Sequence, residues 1–204
     1  MRFLVLVDGT PRPVELAFGS SRDLRSINRW RAPTQIKEQP AVRDALEFAR
    51  LAAKRHHQYS QILATAFSLS HFQTALIREP RTEIALLFVV GAQWFKRSPV
   101  LGIAQCRRTY CHHLVLEFLS VHPSIVARHE PRVSGVGKGL VYGLAEIANQ
   151  LGIELIWGEA TADSASFYSH ILSGRNVEDH FFIKKRTLAR FGREFREKFF
   201  GELD

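Results

Sequence analysis

The chain has 204 residues, 46% of them hydrophobic, enough for one domain with a sizeable core. Its 28 basic and 20 acidic residues give a net charge of +8, which favours an anionic ligand or partner without saying which. The two cysteines, Cys106 and Cys111, have no Cys or His partners at zinc spacing, so no metal is expected and both are read as reduced thiols. The apolar run at residues 3–7 is too short for a secretory leader, and that at 84–92 is too short to span a bilayer. The cytoplasm is therefore the default compartment, with no membrane partner.

Residues 2–7 read as a strand, closed by a turn at Asp8, Gly9 and Pro11. Residues 14–38 show little periodicity and carry Arg22, Arg25, Arg29, Arg31 and Lys37 around Trp30 and Pro33. Two readings stand there: an irregular surface segment, or a basic arm with an aromatic for nucleic acid. Pro40 opens a helix whose apolar face is Val42, Ala45, Leu46, Ala49 and Ala53. His56 and His57 fall on different sides of it, so they do not form a metal pair. A second helix is predicted over 59–78, with Ile62, Ala66, Leu69, Phe72 and Leu76 inward. The period then changes to three consecutive antiparallel strands, 84–91, 100–107 and 114–121. A helix at 139–151, a strand at 153–157, a short helix at 163–173 and a strand at 179–185 follow. This order predicts an α/β (α+β) fold, a mixed and mostly antiparallel central sheet flanked by helices. Residues 1–80 form the N-terminal part of the same domain, 81–185 the core, and 186–204 a basic amphipathic helix. In that last helix Leu188, Phe191, Phe195 and Phe199 recur at helical spacing, with Arg190, Arg193, Arg196 and Lys198 between them. Its apolar face is expected against its own domain or a second copy in a homodimer; a membrane surface or RNA is the further option.

The most informative stretch is 114–140. An apolar strand is followed by a polar loop, then by Arg132, Val133, Ser134, Gly135, Val136, Gly137, Lys138 and Gly139, then by a helix. Leu140, Leu144, Ile147 and Leu151 make one face of that helix, and Gly152 stands where a left-handed cap belongs. A glycine-rich turn at a helix N-terminus binds anions, because its N–H groups lack intrahelical partners. Absent side chains at Gly135, Gly137 and Gly139 would let a phosphate approach. Neither the Walker A pattern nor the dinucleotide fingerprint fits. What remains, Arg132-x-x-Gly135-x-Gly137 after a strand, resembles the coenzyme A loop of the GNAT (Gcn5-related N-acetyltransferase) superfamily, Q/R-x-x-G-x-G/A. A second stretch resembles that family's N-x-x-A-x-x-x-Y: Tyr168 falls on the tyrosine, Thr161 on the asparagine and Ser164 on the alanine. The loop at 124–130 is longer than that family's usual connection.

The resemblance implies an N-acetyltransferase with acetyl-CoA as cosubstrate. It places the pyrophosphate on residues 132–139, the pantetheine arm on Leu119 and Val121 of a strand splayed from its neighbour, and Ser164 beside the coenzyme. Tyr168 would protonate the leaving thiolate. Strict alternation sets Glu117, Leu119 and Val121 on one strand face and Leu116, Phe118 and Ser120 on the other. Glu117 is a carboxylate inside an apolar strand. It either relays a proton from a buried site or is held in a salt bridge. His112, His113 and His122 are alternative bases, though each is ordinary as a surface or hydrogen-bonded residue. The acceptor is an amine on a small molecule, a protein or an aminoacyl-tRNA. The alternatives are a tRNA-directed acetyltransferase toxin, or a module that binds coenzyme A or nucleic acid without turnover.

Overall fold

A computed structural model describes residues 1–174 and 176–199, with the side chains of Lys198 and Phe199 outside the description. Strand β1 (Arg2–Val7) turns at Asp8 and Gly9, both at positive φ, into β2 (Thr10–Phe18). The predicted irregular segment is therefore partly strand. Pro11 and Pro13 argue against a central strand. They are accommodated because β2 pairs β1 from Thr10 to Glu15 but pairs its other neighbour only from Glu15 to Phe18. Helix α1 (Ser21–Asn28) follows, also unforeseen. Its capping box was in the sequence: the Asp23 carboxylate accepts from Ser20 N at 2.8 Å, and Asp23 N donates to Ser20 Oγ at 3.4 Å.

Helix α2 (Pro40–Tyr59) forms as predicted, with His56 buried and His57 exposed. The second predicted helix does not begin at 59. Ser60 caps α2, Ala64 and Thr65 form the short β3, and α3 (Leu69–Arg78) starts behind the Ser68 cap. Ile62 is consequently 75% exposed rather than inward. Strands β4 (Ile84–Gly91), β5 (Val100–Arg108) and β6 (Leu114–Val121) are the antiparallel centre. Then come α4 (Pro123–Val126), β7 (Val133–Ser134), α5 (Val136–Gln150), β8 (Leu155–Glu159), α6 (Ala162–Ile171), β9 (His180–Lys184) and α7 (Lys185–Phe199). Gly152 takes the left-handed cap at φ +69°. The described strands form one sheet in the order β7-β1-β2-β4-β5-β6-β8-β9, with β3 against β4. This is the mixed, mostly antiparallel architecture expected.

Alternation along β4 sends Leu86, Phe88 and Val90 to one face, where α5 and α7 cover them, and Leu87 and Val89 to the other, under α1 and α2. Leu188, Phe191 and Phe195 of α7 are fully buried there, so the C-terminal helix packs on its own domain. Arg196 pairs with the buried Glu146 of α5, and Arg190 donates to Ser173. Phe199 and Lys198 of the predicted stripe, and residues 200–204, lie outside the described residues. Cys106 is buried and Cys111 exposed, both as free thiols.

A buried polar cluster fixes the corner after β6. His122 caps α4: Ser124 N donates to its Nδ1 at 3.3 Å, and Ser124 Oγ lies 2.8 Å from the same atom. Its ring meets Trp30 and Phe95 edge-on, and Trp30 Nε1 donates to Ser98 Oγ at 3.1 Å. Burial, with Arg97 nearby, lowers the His122 pKa to about 4, so this residue serves as a neutral structural group. Unfolding restores a pKa near 6.5, so the unfolded chain takes up the proton first as pH falls. Stability from this group is complete above pH 6.5 and declines toward pH 4, by at most about 3 kcal/mol. Urea unfolding of wild type and His122→Asn at pH 7 and pH 4.5 checks it. Wild type should lose more stability between the two pH values than the variant, and parallel losses would contradict the assignment.

Candidate active site

The strands that frame the site are β6 and β8. They run parallel and pair only at Leu114–Ile156 and Val115–Trp157. A side chain at Gly158 would strike the Leu116 carbonyl, which marks the last close approach. Beyond it the strands part. His122 N donates to Leu101 O at 2.8 Å. Alternation along the antiparallel ladder then turns the backbone groups of Ser120 and Phe118 toward β5, and those of Leu119 and Val121 toward the open side. Unpaired strand-edge groups at two successive ladder positions are a template for an extended ligand.

A cavity of about 480 Å³ occupies the gap. Leu119 and Val121 of β6, the Gly135–Val136–Gly137–Lys138 turn, and Ser164, Phe167 and Tyr168 of α6 line it. Gly135 caps α5 at φ +98°, a value that requires glycine. The first intrahelical bond runs from Gly139 N to Gly135 O at 2.8 Å, so the N–H groups of Val136, Gly137 and Lys138 precede the ladder. Lys138 stands over the Tyr142 ring at 5.0 Å. Gly137 has room for a small side chain, since an added Cβ would make ordinary contacts with Phe167 at 3.5 Å and Leu119 at 3.9 Å.

The rest of the predicted turn is used differently. Val133 and Ser134 pair with β1, and Arg132 N donates to Asp8 Oδ1 at 2.8 Å. These three residues line a neighbouring groove of about 820 Å³, on the far side of Ile125, Val126 and Arg128, which border both spaces. Gly139 faces the core, where a side chain would run into the Phe3 ring. Its missing side chain serves helix-to-sheet packing, not phosphate approach. The Ser164 hydroxyl is spent on the α6 capping box, accepting from Thr161 N at 2.8 Å and donating to Thr161 O at 3.3 Å, so it borders the cavity without a free donor. Asp44 of α2 and Asp163 of α6 meet across the rim, and their hydrogen bond raises the Asp44 pKa. Sequence separation hides that pair.

A second cavity, about 490 Å³, continues on the α2 side and shares Phe48, Leu119, Thr161, Ser164 and Tyr168 with the first. Glu117 lies in its wall. Cys106 pairs Leu116 while Gln105 pairs Phe118, so Glu117 is the extra residue of a β-bulge. The bulge reverses the parity of the strand. Glu117 and Phe118 both face α2, contacting Tyr59 and Phe48, whereas Leu116, Leu119 and Val121 pack toward the α5 core. Strict alternation, which grouped Glu117 with Leu119 and Val121, fails for this reason. Glu117 is salt-bridged: Oε1 accepts from Tyr59 Oη at 3.0 Å and Arg107 Nε at 3.2 Å, and Arg55 Nη1 lies 3.6 Å from Oε2. Neither Arg55, Arg107 nor Tyr59 was singled out from sequence, because no spacing rule links residues so far apart.

Tyr168 sits where the two cavities meet. Its ring stacks on Phe181 at 3.9 Å, and burial pushes its phenol pKa well up, so it is protonated at rest. His112, His113 and His122 border neither cavity. His112 is held between Arg108 and the Leu151 carbonyl.

No family model and no curated protein matches the chain. Among solved structures it is similar to mutant forms of the spermidine/spermine N-acetyltransferase SpeG from Vibrio cholerae, at 12% identity and TM-score 0.48 over 88% of this chain and 99% of that one. It is also similar to SpeG in complex with CoA and spermine (13%, TM-score 0.46, 86% and 98%). A third likeness is to a mutant AtaT toxin bound to the C-terminus of the antitoxin AtaR and acetyl-CoA (13%, TM-score 0.44, 87% and 96%). TM-scores under 0.5 assign no activity to this chain.

The two helix-start glycines should separate on substitution. Gly139→Ala drives a methyl into Phe3 and should cost about 1–3 kcal/mol of unfolding free energy. Gly137→Ala makes only ordinary contacts with Phe167 and Leu119 and should be neutral or stabilising by up to about 1 kcal/mol. Urea titration of both variants reads the difference, and equal losses would return Gly139 to the ligand-facing set.

Proposed function

We propose that the chain is an N-acetyltransferase that takes acetyl-CoA and passes the acetyl group to an amine by direct attack. The observation that carries this reading is the parting of β6 from β8 beside an uncapped helix N-terminus, with Tyr168 at the junction of two cavities. The pantetheine arm pairs with the free edge at Leu119 and Val121. The N–H groups of Val136, Gly137 and Lys138 meet the pyrophosphate, where the helix dipole favours negative charge. Arg132, Val133 and Ser134 serve the outer, groove-side part of the coenzyme, and Ser164 shapes the wall.

The amine enters from the second cavity. Its nitrogen attacks the thioester carbonyl carbon, a C–N bond forms and the C–S bond breaks. Tyr168 gives its phenolic proton to the leaving thiolate, and the amine proton departs through Glu117 Oε2 to water. A thiol has a pKa near 8.5 and an ordinary phenol near 10, and burial raises Tyr168 further, so this tyrosine stays protonated until the thiolate develops. Two guanidinium groups around Glu117 make the second cavity a poor place for a polycationic acceptor.

Isothermal calorimetry with coenzyme A, followed by thiol release with a panel of amines, tests the reading. Tyr168→Phe deletes one hydroxyl and keeps the Phe181 stack. Turnover should fall by about 10²–10⁴-fold with coenzyme A affinity little changed. A variant that retains most of its turnover removes Tyr168 as the acid. Coenzyme A binding with no thiol release above the hydrolysis blank for any amine would make the chain a binder, not an enzyme.

A further inference from the structure

The second cavity holds a pair of opposite charges that are only loosely satisfied by each other. Glu117 Oε2 is buried and has no hydrogen-bond partner among the described residues. Arg55 Nη1 lies 3.6 Å from it, close enough to attract and too far to donate. The Arg55 side chain is 43% exposed, and among the described residues its one hydrogen bond is from Nη1 to the Tyr59 hydroxyl at 3.1 Å. Both groups are nonetheless fixed. Tyr59 accepts from Arg55 and donates to Glu117 Oε1, and Arg55 lies over the Tyr59 and Phe118 rings at 5.5 and 5.9 Å. A buried acceptor without a donor is costly unless a ligand supplies one.

We propose that the acceptor is a free α-amino acid, with its ammonium on Glu117 Oε2 and its carboxylate on the Arg55 guanidinium. The inference rests on the acetyl-transfer reading and specifies its substrate class. An α-amino acid carries both charges on one carbon, a few ångströms apart, which is the scale of an Arg–Glu pair separated by 3.6 Å. The four charges alternate around a closed ring, so each attracts both neighbours. The pair is bridged rather than broken, and because it is already positioned little ordering is lost on binding.

Other amines fit worse. A polyamine brings no anion for Arg55, and its further ammonium groups find Arg55 and Arg107 beside Glu117, with Glu159 as the other carboxylate in the cavity wall. An amino acid tied up as an ester or amide, as on a carrier, leaves the guanidinium unanswered. Phe48, Phe118 and Trp157 form an apolar stretch of the wall, alongside the polar Glu159, Thr161 and Ser164, and suit an apolar or aromatic side chain, so phenylalanine is the first probe.

The experiment compares phenylalanine, phenylalanine amide and spermidine as acceptors. Thiol release is measured above the hydrolysis blank, and products are identified by mass. Phenylalanine should exceed its amide by at least about 30-fold in kcat/KM, as expected where a site pairs a group that the analogue lacks. Arg55→Gln should raise KM for phenylalanine about 10–100-fold and so erase most of that preference, while Arg55→Lys should restore part of it. A merely structural arginine would lower turnover of acid and amide alike. Amide or spermidine as the better acceptor, or no turnover of any proteinogenic amino acid by protein that binds coenzyme A, overturns the inference and leaves the coenzyme site standing. Absence of coenzyme A binding in calorimetry removes both.

Discussion

Two residue pairs hold β6 and β8 together, and everything distinctive about the molecule depends on the parting of the strands after that point. A parallel pair held along its full length would bury Leu119 and Val121 and close the space between α5 and α6. Instead the backbone of β6 keeps its polar groups available on one edge. The sheet tolerates this because both strands are secured elsewhere: β6 by β5 along most of its length, and β8 by β9 at five successive positions. The cost of unpaired edge groups is met by water or by a ligand, and under the proposed function by the pantetheine arm.

The glycine turn and the bulge are consequences of the same local geometry. Gly135 adopts a conformation that turns the chain directly from β7 into α5, so the helix starts at the mouth of the gap. The bulge at Glu117 sits where β6 leaves β8 and points a carboxylate away from the α5 core, toward α2. One strand therefore serves two cavities, with Val121 lining the first, Glu117 the second and Leu119 both. Tyr168, carried by α6 from the end of β8, closes the junction between them.

Most of this frame was legible in the sequence, for physical reasons that differ by element. Strands β4 to β6 were readable because their apolar runs are bounded by turn residues, and α5 because its apolar face, glycine start and Gly152 cap agree. The glycine turn and the motif around Tyr168, 30 residues apart in the chain, line one cavity. Other features depend on tertiary context. Ile62 fits a helical stripe, yet the chain leaves the helix at Ser60 to add β3 to the sheet. The prolines of β2 obscured a strand that is half an edge. Gly139 looks like a ligand-approach glycine and serves the packing of Phe3. A bulge has no sequence signature, so the side on which Glu117 lies, and with it the Arg55–Tyr59–Arg107 constellation, could not be read. The capping box at Ser20 and Asp23 is a signal that was present and passed over.

The central claim is that the open edge of β6 and the start of α5 together hold coenzyme A. Amide hydrogen exchange with and without coenzyme A addresses it at single residues. The account predicts added protection at Leu119 and Val121 and at Val136, Gly137 and Lys138, with little change at Phe118 and Ser120, whose amides already face β5. Saturating coenzyme A that leaves those five amides unprotected, or that protects a different part of the sheet, would contradict it.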